Sequence, residues 1–184
     1  MSLLALVGSL LLSGCGREEV STYRVPKQAA KPTPTHDHDH QNAAAPAPQN
    51  WKVPTGWQAT TPGPMVLASY NISAKEGSPT VTVSMFPGDV GGVLANVNRW
   101  RGQLGQPATT EADLPKLLQP IELPHAQGTL VDFVGTNSKT SQPARMIGVI
   151  VPRDGNSWFY KMTGDTETVA AEKSRFIEFI GHAH

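Results

Sequence analysis

Between Tyr23 and Asn50 the chain carries five prolines among Ala, Gln, Thr and Asn, and no large apolar residue follows Val25. Such a stretch buries too little apolar surface to offset the entropy of ordering it, so any core must come from residues 51–184. Cys15 is the only cysteine, which excludes an internal disulfide and leaves that part to fold on packing alone. A domain of this size buries roughly two-thirds of its unfolded surface, which is sufficient. The 35 residues Gly16–Asn50 read as a tether of mixed flexible and polyproline character, with a reach of roughly 30 Å or more.

The charges are balanced, 15 Lys and Arg against 15 Asp and Glu. The balance is local as well: residues 51–184 carry 11 of each sign and residues 15–50 carry 4 of each. A polyanionic partner leaves no such pattern, so nucleic acid and anionic lipid surfaces are not expected as ligands.

Upstream of the tether, Leu3–Leu12 is an uncharged apolar run closed by Leu12-Ser13-Gly14-Cys15. It has the length of a secretory h-region and is shorter than the ~20 residues that span a bilayer. The four closing residues resemble the lipobox of bacterial lipoproteins (Leu, a small residue, Gly or Ala, then Cys). The resemblance implies that the Cys15 thiol takes a diacylglycerol, that residues 1–14 are a signal peptide cut off before Cys15, and that the new amine is acylated. It implies a lipid bilayer as partner and a cell-envelope location. Gly16 lacks the Asp that favours inner-membrane retention in related lipoproteins, which points to the outer membrane where the cell has one. No Lys or Arg precedes the apolar run, so the natural start is expected a few codons earlier.

Residues 51–184 are expected to form one globular domain. Met65–Ile72 and Thr80–Phe86 are β-rich, the second alternating Val81, Val83 and Met85 against Thr80, Thr82 and Ser84. In Val93–Leu104 the apolar residues Val93, Leu94, Val97, Trp100 and Leu104 recur at helical spacing, and Gly105 stops the run. Thr110–Leu118 reads as a short helix capped by Thr110 and limited by Pro115. Three further strands are expected over Gly128–Val134, Arg145–Val151 and Ser157–Met162, with Asp154-Gly155-Asn156 as a hairpin turn. A closing helix follows, capped by Asp165 and burying Val169, Phe176, Phe179 and Ile180. Hairpins interrupted by a helix predict an α+β domain, a mostly antiparallel sheet flanked by helices.

That order, the opening Pro54-Thr55-Gly56-Trp57 and the ending Trp158-Phe159-Tyr160-Lys161-Met162-Thr163-Gly164 before a helix with Lys173 and Phe176 resemble the PsbP/Mog-type α/β/α sandwich over about residues 51–181. The resemblance implies a binding or assembly factor without a catalytic site. Gly91–Gly105 also resembles a group of uncharacterised bacterial lipoproteins.

The densest polar constellation is Asn96, Asn98, Arg99, Arg101 and Gln103 around the first helix, forks and carboxamides that suit carboxylates or sugar hydroxyls. The Gly88–Gly92 loop before it lacks the Lys-Ser or Lys-Thr pair of a phosphate-binding P-loop. His36, His38 and His40, alternating with Asp37 and Asp39, are the candidate metal ligands, although within a tether the ordering entropy limits them to weak divalent-metal binding. His182 and His184 offer a further weak pair. His125, in an expected loop, reads as a solvated side chain. The aromatics Trp51, Trp57, Trp100, Trp158, Phe159 and Tyr160 could form a carbohydrate or peptide platform, though Trp100 and Trp158 suit packing better. There is no cysteine in the domain, no Gly-x-Ser-x-Gly elbow and no His-Glu-x-x-His. A non-catalytic binding or assembly module, without a resident cofactor and with an envelope protein or small ligand as partner, is therefore the expectation. A metal-handling lipoprotein using the His36–His40 tract is the alternative.

Overall fold

The computed structural model of the protein describes residues 51–74 and 78–183. The chain divides into two units, Met1–His40 and Gln41–His184, and all described residues belong to the second. Cys15 and the His36–His40 tract lie outside the described residues.

Seven strands form one antiparallel sheet in the order β1-β2-β3-β7-β6-β5-β4. They are β1 (Trp57–Thr60), β2 (Ala68–Ile72), β3 (Thr80–Pro87), β4 (Gln119–Leu123), β5 (Ala126–Thr136), β6 (Pro143–Arg153) and β7 (Asn156–Gly164). The helices are α1 (Gly92–Gln103) and α2 (Thr166–His182). β1–β3 form a meander. α1 and the segment after it then carry the chain to the opposite edge, and β4–β7 return to pair with β3. Val81 thereby sits opposite Met162, and Thr82 opposite Lys161.

The two longer expected helices and the 154–156 turn are present. Asp165 caps α2, its Oδ1 accepting the Thr168 N–H at 2.8 Å. Asp154 and Gly155 both take positive φ (52° and 71°), as a tight hairpin turn requires. The interior of the sheet follows from alternation, but its edges differ from expectation. Neither edge strand, β1 or β4, is among those the sequence predicts, and β1 is only four residues long. β4 contains Pro120, which an edge strand tolerates because its missing N–H can face away from the ladder. β2 begins three residues later than expected, at Ala68, because Pro62-Gly63-Pro64 leads into Met65 with φ 59° and 77% exposure. The helix expected over Thr110–Leu118 is a single 3-10 turn, Leu114–Lys116. Its start is built as expected, with the Asp113 N–H donating to Thr110 Oγ1 at 3.3 Å. Pro115 then removes an amide needed to continue it.

Alternation gives the sheet two faces. Below it α2 lays Val169, Phe176, Phe179 and Ile180 on Trp57, Tyr70, Val81, Val83, Tyr160 and Met162. The Trp57 and Phe179 ring centroids lie 5.2 Å apart. Tyr160 ties in the end of the helix by donating its hydroxyl to the Ala183 carbonyl at 2.6 Å, and burial pushes that phenol up to about 12. Above the sheet α1 packs Val97, Trp100 and Leu104 on Val131, Phe133, Met146 and Ile150. Gly148 makes the slot for Trp100: a Cβ there would lie 2.3 Å from the indole.

Candidate functional site

α1 rests over β5, β6 and the Phe159 end of β7, because there the upper face is apolar. Farther along β3 and β7 that face is polar, with Thr80 opposite Thr163 and Thr82 opposite Lys161. The polar pattern continues through Ser69 and Asn71 of β2 to Thr60 and Gln58 of β1. A helix with an apolar stripe gains nothing by covering such a surface. The uncovered half is therefore the floor of an open groove of about 810 Å³. Gln103 of α1 forms one wall, the β5–β6 turn with Asn137–Thr140 and Gln142 a second, and Asp165 at the start of α2 closes one end.

Lys161 stands on this floor. Its Nζ donates to Gln103 Oε1 at 3.1 Å, and no carboxylate pairs with it among the described residues. An ammonium has three donors, so a single acceptor leaves capacity for a ligand. Burial, then the nearby positive charges of Lys139 and Arg99, hold its pKa below the ordinary lysine value. Two further atoms in the groove are buried without a partner among the described residues, Thr163 Oγ1 and Asp165 Oδ2. Most buried polar atoms have partners, so two orphans beside an under-used ammonium mark a place where a bound molecule would complete the bonding.

The five polar residues expected around α1 separate into two groups. Gln103 lines the groove, and Arg99 is near enough to depress Lys161. The other three support the backbone. The Asn96 side-chain amide donates to the Val90 and Gly92 carbonyls at 2.8 and 2.7 Å, tying the Gly88–Gly92 loop into the helix start, and its Oδ1 accepts from Arg99. Asn98 exchanges two bonds with the backbone of Thr109, at 3.0 and 2.7 Å. Arg101 donates to the Pro107 carbonyl at 2.8 Å and lies over the Phe133 ring. Asn98 and Arg101 thus clamp the segment after α1.

The aromatics form no shared platform. Trp51, Trp57, Trp100 and Tyr160 are buried, and Phe159, on the upper face, packs against Phe86 and Trp100. Trp158 lies on the lower face, stacked on Tyr160 with Arg153 over its ring. His125 is exposed in the β4–β5 turn, as its position in the sequence indicates. Among the described residues no group of three or more His, Cys, Asp or Glu is placed to hold a metal ion. No described helix is long and apolar enough to cross a membrane.

Lys161 and Thr163 did not stand out in the sequence. The signal was available as the alternation of β7, which sets Phe159, Lys161 and Thr163 against Trp158, Tyr160 and Met162. It becomes informative only once β3 is known to be the neighbour, because Thr80 and Thr82 then extend the polar strip across two strands.

No family model matches the chain, and neither does any curated protein. Among solved structures it is similar to the solution structure of cyanobacterial PsbP (CyanoP) from Synechocystis sp. PCC 6803, with 12% identity, a TM-score of 0.43, and coverage of 71% of this chain and 82% of that one. It is also similar to the crystal structure of LpqN, involved in cell envelope biogenesis of Mycobacterium tuberculosis, with 14% identity, a TM-score of 0.35, and coverage of 72% and 78%. The site described above rests on the geometry of this chain alone.

Proposed function

We propose that this protein is a lipid-anchored envelope lipoprotein whose folded domain holds a ligand in the groove over β3 and β7 without transforming it. The carrying observation is the polar half-face itself: an under-used ammonium and two orphaned buried oxygens in a groove that α1 leaves open. Leu12-Ser13-Gly14-Cys15 supports the anchor, and the proline-bearing residues up to Asn50 support a tether that lifts the domain off the membrane. A diacylglycerol on Cys15 supplies two of the chains that stable anchoring requires. Gly16 favours the outer membrane as the address.

A photo-crosslinking residue introduced at Thr82 in living cells is expected to give an adduct, whereas one at Ala171 on the outer side of α2 is not. Equal labelling at both sites, or none at Thr82, would remove the groove from the proposal. Cys15→Ser is expected to move the protein from the membrane fraction to the soluble one, and mass spectrometry of the membrane form to find a diacylglyceryl group on Cys15.

A further inference from the structure

The groove's chemistry narrows its occupant, given the reading above that it binds a ligand. Lys161, Thr163 and Asp165 follow one another on one side of the chain, so ammonium, hydroxyl and carboxylate are spread along roughly 13 Å at strand rise. The Lys161 end is positive, since Lys139 and Arg99 add to its field and no carboxylate offsets them there among the described residues. The Asp165 end offers a buried acceptor, Oδ2, while Oδ1 is already engaged by the Thr168 amide. An oxyanion fits the first end and a hydroxyl donor the second. Between them the floor is hydroxyl, from Thr80, Thr82 and Thr163, and the walls add carboxamides. Pro143, Ala144 and Met146 add apolar surface beside this polar strip, against which the C–H face of a sugar ring can lie. The volume, about 810 Å³, is that of a small-molecule site.

We propose that the groove takes a small polyhydroxylated anion, an acidic sugar of one or two rings, with its oxyanion on Lys161 Nζ and its hydroxyls on Thr163 Oγ1 and Asp165 Oδ2. Two chemistries supply such an oxyanion, a carboxylate or a phosphate ester, and the same donors serve both.

Calorimetry on the full chain in detergent, with glucuronate, glucose 6-phosphate and neutral glucose as probes, tests this directly. Saturable binding of at least one acidic sugar, and much weaker binding of glucose, is expected; the stronger of the two acids identifies the oxyanion. Lys161→Met is expected to weaken that binding by about tenfold or more, since a bond to a charged group is lost. Thr163→Val is expected to weaken it several-fold, and an unchanged far-ultraviolet circular dichroism spectrum would show that both variants fold. Binding of none of the three probes, equal binding of glucose, or undiminished binding to folded Lys161→Met would each overturn the assignment. If Thr82 still crosslinks in cells after such a result, the groove remains a binding site and only its assigned ligand class is lost.

Discussion

The two faces of the sheet are built from the same strands by the same alternation, yet they serve different ends. The lower face is apolar from β1 to β6, with Trp57, Tyr70, Val81, Tyr160 and Ile147 contributing in turn, and α2 seals it. The upper face changes character along β7. Over β5, β6 and Phe159 it is apolar and α1 covers it; toward Lys161, Thr163 and the threonines of β3 it is polar and remains open. Stability is thus concentrated below the sheet, and the proposed binding groove lies above it. A charged cluster beneath the sheet is closed on itself: Asp132 accepts from Arg145 at 2.7 Å through both oxygens and from Lys173 of α2 at 2.9 Å. Lys161, on the other face, has no such partner among the described residues.

The contrast can be broken most severely from below. Phe179→Ala removes an aromatic that touches Trp51, Trp57 and Tyr70, and should cost about 4 kcal/mol in chemical denaturation. A cost below that of a surface substitution would mean that α2 is not the main seal.

Asp132→Ala should follow at about 3 kcal/mol, because it strands two cations that the carboxylate neutralises. The same carboxylate makes stability fall in acid. Burial raises the Asp132 pKa, but hydrogen bonds from Arg145 and Lys173 outweigh it and leave the group below the ordinary carboxylate range. A depressed native pKa gives stabilisation that is complete above the unfolded value of about 3.9 and is lost as pH falls through the native one. Stability measured through that window should therefore drop in the parent protein and stay flatter in Asp132→Ala.

Gly148→Ala tests the covered half of the upper face. The new methyl would collide with Trp100, so α1 must shift, at about 2 kcal/mol and with a displaced Trp100 indole resonance. The smallest effect, of opposite sign, is expected in the groove. Lys161→Met should stabilise the protein by up to about 1 kcal/mol, because the native state disfavours the ammonium and the unfolded chain does not. Its native pKa is depressed, so the unfolded chain binds more protons and the parent's stability rises with pH toward the ordinary lysine value. The advantage of the methionine variant should shrink over the same range. An advantage independent of pH would show that charge burial is not its cause.

Much of this was legible in the chain. The apolar period of Val93–Leu104 and of Val169–Ile180, the Asp165 cap and the 154–156 turn are local signals, and the structure contains them where the residues indicate. The signals that failed were those in which local preference competes with tertiary context. Thr110 and Asp113 make the expected bonds, yet no helix follows. Pro120 argues against a strand anywhere but at an edge, and the edge exists only because the α1 crossover delivers the chain there. Asn96, Asn98 and Arg101 show the same limit for function, since carboxamides and guanidiniums that could hold a ligand can equally hold a backbone.

The sequence by itself therefore determined where a core could form, which faces of α1 and α2 are apolar, and that Cys15 stands apart from the domain ahead of a proline-bearing stretch. Those are properties of neighbours along the chain. Only the tertiary structure decided that Lys161 and Thr163 share a floor with Thr80 and Thr82, because a strand's partner is fixed by the whole topology and not by its own residues. It likewise decided that α1 reaches Phe159 of β7 but leaves the Thr80–Thr163 part of the floor open: a helix covers the apolar surface that the paired strands present, and that surface does not exist until the strands have paired.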